Sequence, residues 1–177
     1  MKKALFLFVF LPILSSGQIN QTNQSKSKLE TFSLKTGNLY KKEYVDIGTT
    51  RKIVVEVLKI TDILNKITVS GIRLQASVDK TYGSSLISCF LDADEIESFL
   101  KSSNFLLQTL NDSPENYTEY QFISRGGFRA RAFCSKNNKE WKYFIQLDQY
   151  DKDTEIFFNK DDFEDLVNVI TKAKPKL

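Results

Sequence analysis

Residues 117–147, YTEYQFISRGGFRARAFCSKNNKEWKYFIQL, read as three antiparallel strands joined by two tight turns. Gly126-Gly127 and Asn137-Asn138 are the turn signals, because glycine and asparagine tolerate the positive φ of primed hairpin turns. Two-residue loops at both positions predict a register. Across the first turn Ser124 opposes Arg129, Phe122 opposes Arg131 and Tyr120 opposes Phe133. Across the second, Cys134 opposes Trp141, Ala132 opposes Tyr143 and Arg131 opposes Phe144.

Side chains alternate along a strand, so this register divides the sheet into two faces. Phe128, Ala130, Ala132, Cys134, Trp141, Tyr143, Ile145 and Leu147 make a core face, whose alanines leave room for a helix. The other face collects Tyr120, Phe122, Arg129, Arg131, Phe133, Lys142, Phe144 and Gln146. Four aromatics among cations are not an ordinary solvated surface. Three readings of that face compete. It packs on another layer with its cations reaching to the edge, it is an exposed binding surface, or a one-residue slip exchanges the two faces.

Upstream, Leu39 to Val45 reads as a strand with a turn at Ile47-Gly48-Thr49-Thr50, and Lys52 to Ile60 as a β-branched central strand. Ile67 to Val78 is a long strand whose apolar phase changes from odd to even positions at Ser70-Gly71, which predicts a β-bulge. After a turn at Tyr82-Gly83-Ser84 comes a fourth strand, Leu86 to Leu91. The period then changes to helical: Asp92 is an N-cap with Glu95 three residues on, and Ile96, Phe99, Leu100, Leu107 and Leu110 form one stripe. The segment 111–116, NDSPEN, is a linker.

The plan then repeats. After the three-strand stretch, residues 155–158 form a short strand, Asn159 caps a second helix, and Phe163, Leu166, Val167 and Ile170 are its stripe. The junctions FLDADEIESFL and FFNKDDFEDLV match in layout. The fold class expected is therefore α+β, two tandem β-β-β-β-α units with antiparallel sheets each packed against one helix. Unit one covers about 39–110 and unit two about 117–174, within a single domain 39–177. The layout is similar to the four-strand-plus-helix repeats of PUR and Whirly single-stranded nucleic-acid-binding proteins, and to the tandem helix-plus-four-strand unit of secreted β-lactamase inhibitor proteins. No motif of either family is present, so the likeness transfers no function.

At the N-terminus, Lys2 and Lys3, the apolar run Ala4 to Leu14 and the small residues Ser15, Ser16 and Gly17 have the layout of a secretory signal peptide, residues 1–17. The run falls short of the roughly 20 residues needed to span a bilayer. Residues 18–38 are expected to be a flexible leader. A secreted or periplasmic bacterial protein is the expectation. The formal charge of +3 drops to +1 without Lys2 and Lys3, so the overall balance names no polyanionic partner. Export also argues against nucleic acid. In an exported chain the two cysteines, Cys89 and Cys134, are a disulfide candidate.

The chain has no histidine, which removes Ser-His-Asp and Cys-His catalysis and the commonest zinc ligand. Asp92, Asp94 and Glu95 at one junction, and Asp161, Asp162 and Glu164 at the other, suit helix capping better than acid-base work. Asp148, Asp151, Asp153 and Glu155 lack the central glycine and closing glutamate of a calcium loop. No cofactor or metal is implied. The expected function is a non-enzymatic binding module for a protein or glycan, using Tyr120, Phe122, Arg129, Arg131, Phe133, Lys142 and Phe144. A carboxylate-dependent hydrolase and a purely structural domain are the alternatives.

Overall fold

The computed structural model describes residues 26–80, 83–110 and 113–177; the signal-peptide segment, the first part of the leader and Tyr82 of the expected turn lie outside these. A short helix α1 (Lys28–Ser33) precedes two tandem units. The first is β1 (Tyr40–Thr50), β2 (Ile53–Asp62), β3 (Ile67–Lys80), β4 (Gly83–Asp92) and α2 (Ala93–Thr109). The second is β5 (Thr118–Ile123), β6 (Arg129–Ser135), β7 (Asn138–Gln146), β8 (Glu155–Phe158) and α3 (Lys160–Ala173). Each set of strands is an antiparallel sheet in sequence order, sheet A for β1–β4 and sheet B for β5–β8. The α+β class and its two sheet-then-helix units follow the reading of the sequence.

The two helices touch each other and lie against the inner faces of both sheets. Helix α2 meets β3, β4 and β5, whereas α3 meets β1 and β2 of the other unit as well as β7 and β8 of its own. The result is one shared core. Ile53, Val55 and Val57 of β2 and Ile72, Leu74 and Ala76 of β3 enter it from sheet A. Phe99 of α2 meets Phe122 and Phe128 edge-on at 5.4 and 5.8 Å, and Tyr143 of β7 stacks on Phe163 of α3 at 5.1 Å. Each such buried side chain contributes about 1.5–3 kcal/mol of transfer free energy.

Four expectations need correction. The leader is not flexible throughout: Ser27 and Glu30 form a capping box, and Leu29, only 1 % exposed, packs with Phe32 onto Leu58 and Ile60 on the outer face of sheet A. The S-x-x-E signal was present in the sequence. Secondly, β3 pairs with β2 without a break, so there is no bulge at Ser70-Gly71; a register shift occurs instead in β1, between Asp46 and Gly48. The apolar phase changes because the covered face changes. Val69 lies under α1, while Ile72, Leu74 and Ala76 face the main core. Gly71 permits the close approach, since a Cβ there would stand 2.5 Å from both Leu29 Cδ1 and the Leu91 carbonyl oxygen.

Thirdly, the first hairpin of sheet B is one residue out of the expected register. Phe122 pairs with Ala130, Tyr120 with Ala132 and Ile123 with Arg129. Ser124 makes the loop wider than two residues: its N–H donates to the Phe128 carbonyl at 2.8 Å, and its hydroxyl accepts from the Phe128 N–H at 3.0 Å. The second hairpin keeps Ala132 opposite Tyr143 and Arg131 opposite Phe144, but Ser135 pairs with Asn138, so its turn is Lys136-Asn137 rather than Asn137-Asn138 and the expected Cys134–Trp141 pair is absent from the ladder. Finally, Cys89 and Cys134 are not bridged. Both are buried thiols in different sheets, and burial pushes the Cys89 thiol well up from its ordinary value.

Candidate binding face

The alternation of β6 and β7 sends Arg129, Arg131 and Phe133 outward beside Lys142, Phe144 and Gln146. Phe157 of β8 joins them opposite Phe144, and Glu119 of β5 stands opposite Phe133. Phe144 is the centre of this outer face. Phe133 meets it edge-on at 5.8 Å, Phe157 lies tilted against it at 5.4 Å, and the Arg131 guanidinium sits 5.2 Å from its ring centroid. Those neighbours leave Phe144 only 6 % exposed, although it points away from the core. Phe157 at the rim remains 53 % exposed, and Lys142 is exposed too.

Polar groups on this face are incompletely matched. Arg131 reaches Glu119 at 3.5 Å, and Arg129 donates to the Gln149 side-chain oxygen at 3.0 Å. Arg129 Nε, Arg131 Nε and Gln146 Oε1 are buried and have no protein partner among the described residues. Those Nε groups are shut away from solvent, so a carboxylate-bearing ligand would be met by the terminal guanidinium N–H groups, which already contact Gln149 and Glu119.

The shifted register of β5 removes two residues from this set. Tyr120 and Phe122 point to the inner side, where Phe122 packs on Phe99 and Tyr120 lies 5.7 Å from Trp141 and 6.2 Å from Phe105. Together with Lys101, Ser102, Phe105, Leu106 and Gln121 they line a groove of about 330 Å³ between α2 and β5. Arg129, Arg131, Phe133, Lys142 and Phe144 stay together as expected. Phe157 was missed, because a four-residue strand ending in two phenylalanines shows no alternation of its own. The large-opposite-small pairs Phe122–Ala130 and Tyr120–Ala132 were a signal for the correct register.

Of the junction carboxylates, Asp92, Asp94, Glu95 and Asp162 are engaged elsewhere, while Asp161 and Glu164 are exposed. Asp92, 1 % exposed, accepts the N–H groups of Lys28 at 2.8 Å and Leu29 at 3.1 Å, and pairs with the Arg125 guanidinium. Glu95 accepts from the Asp92 N–H at 3.1 Å and the Arg125 N–H at 2.5 Å. Hydrogen bonds from Lys28 and then Arg125 hold the Asp94 carboxyl down at about 2. Asp162 pairs with Arg51 at 3.2 Å, and its N–H donates to the Asn159 cap at 2.7 Å. In the acidic loop, Asp148 and Asp151 accept N–H bonds from Tyr150 and Asp153, and Asp151 also holds Lys80. Among the described residues, no three cysteines or carboxylates gather as metal ligands.

No family model matches the chain, and neither the curated proteins nor the solved structures contain a match.

Proposed function

We propose that the protein is a non-enzymatic binding module, exported from the cell, whose outer face of sheet B holds an acidic protein or glycan partner. One observation carries this reading. The helices that pack on sheet B lie on its inner face, yet the outer face has an assembled cluster of Arg129, Arg131, Phe133, Phe144 and Phe157. Aromatic rings supply apolar area and the arginines supply charge-assisted bonds, the combination favoured at interface centres.

The alternative of a carboxylate hydrolase draws less support. Such an enzyme needs a general acid whose pKa is raised. Among the described residues, the carboxyls with a clear displacement, Asp62, Asp94, Glu97 and Asp151, are all lowered, in each case first by hydrogen bonding from a neighbouring side chain.

The test is an array of uronate- and sialate-bearing oligosaccharides and acidic peptides, probed with the purified protein and with Arg131→Ala and Phe157→Ala. Binding to an acidic member that falls at least tenfold in both variants is expected. Binding indifferent to both substitutions, or none across the array, would overturn the proposal.

A further inference from the structure

The four sheet edges are protected unequally. The β1 edge carries Lys41 and Lys42, has the irregularity at Asp46–Gly48 and lies beside α3. The β8 edge is only four residues long, and Arg51 donates to its Phe157 carbonyl at 2.6 Å. Lysines, bulges and short strands are the usual devices that stop an edge from pairing with another chain. Strand β5 has none of them: TEYQFI contains no lysine and no proline, and its pairing with β6 is regular. It borders the α2–β5 groove, lined by Phe105, Leu106, Tyr120 and Phe122; the β4 edge is likewise free of lysine and proline, but its exposed first half, Gly-Ser-Ser-Leu-Ile, has Leu86 as its single large apolar side chain more than half exposed.

We infer that β5 is a strand-addition edge, at which an extended segment of a partner protein pairs with Thr118–Ile123 and sets alternate apolar side chains into the α2–β5 groove. Main-chain hydrogen bonds give such a contact its affinity, and pockets for every second side chain give it selectivity. The period of two matches the geometry, since one face of an added strand would lie over α2 while the other continues the row of Glu119, Gln121 and Ile123. Phe105 is 51 % exposed, an apolar surface at the groove mouth with room to be covered. Charge narrows the occupant: Lys101 is the single charged residue of the groove lining, so the segment carries an acidic residue beside its apolar ones. This site is separate from the outer face of sheet B and stands without it.

The experiment is selection of a phage-displayed library of random ten-residue peptides on the purified protein. Enriched peptides should alternate apolar and polar residues and include an acid. Their affinity should fall at least tenfold in Phe105→Ala and stay unchanged in Leu64→Ala, an exposed residue of the β2–β3 turn. In one synthetic peptide from the selection, N-methylation of alternate residues should abolish binding in one phase and be tolerated in the other, because an added strand uses every second N–H toward the edge. No enrichment, or equal tolerance of both methylation phases, would overturn the inference. So would dimerisation in the analytical ultracentrifuge that Phe105→Ala breaks, since the edge would then belong to a second copy of the chain.

Discussion

Sheets A and B share a plan of four antiparallel strands and a helix, but they treat their outer faces differently. On sheet A the apolar end is sealed by α1, with Leu29 and Phe32 seated on Leu58 and Ile60 and with Gly71 cut back to admit them. On sheet B the corresponding layer is made by the strands themselves, Phe144 being covered by its neighbours Phe133, Phe157 and Arg131. The part of the sheet A face under α1 has no surface left for a ligand, and beyond it Tyr44 stays about half exposed beneath the Arg73 guanidinium. A face that covers only its own centre keeps aromatic and cationic groups at the rim, and this contrast underlies the proposed function.

The sharpest way to break the contrast is to release α1. The buried Asp92 carboxylate holds two of its N–H groups and Arg125. Asp92→Ala should therefore cost about 3 kcal/mol in urea unfolding, as removal of one partner from a buried network does. Asn159 occupies the matching cap in unit two but serves α3 alone, so Asn159→Ala should cost about 1 kcal/mol. Equal losses would mean that α1 is not anchored as described. Gly71→Ala should come next, at about 2 kcal/mol, because the new methyl meets a backbone carbonyl that cannot yield. Adding Leu29→Ala should recover part of that loss, and strict additivity would contradict the contact.

The smallest effect is on pH. The Asp94 carboxyl, ordinarily near 3.8, is held at about 2 by Lys28 and Arg125. A carboxyl lowered in the folded state stabilises the fold above its unfolded pKa, and that contribution is lost as pH falls from about 4 to about 2. Asp94 is about half exposed, so the effect should be under about 1 kcal/mol. Asp94→Asn should flatten the stability profile in that window by removing this small contribution at neutral pH, and leave stability near pH 2 nearly unchanged.

Much of this architecture was legible in the residues. Asp92 and Asn159 marked both helix starts, because a capping side chain acts locally and needs no knowledge of the rest of the fold. The second hairpin was legible in its strands, whose alternation kept Ala132 opposite Tyr143 and Arg131 opposite Phe144, but its turn fell one residue before Asn137-Asn138. The first hairpin was not, since a single serine hydroxyl widened its loop and moved Tyr120 and Phe122 to the inner side. The candidate face was thus read in its centre and misread along one strand. The reading of β3 failed differently. Its alternation is regular, and only the distant α1 explains why both faces carry apolar residues in turn. Coverage by an element far away in sequence leaves no local mark.

The central claim is that the outer face of sheet B packs its own centre and stays open at its rim. Urea unfolding of Phe144→Ala beside Phe157→Ala tests it directly. Phe144→Ala should cost about 3 kcal/mol, because the ring is buried by its neighbours. Phe157→Ala should cost under about 0.5 kcal/mol, as an exposed substitution does. A loss of 3 kcal/mol or more at Phe157 would contradict the account, for it would mean that the rim is covered and has no free surface to offer a partner.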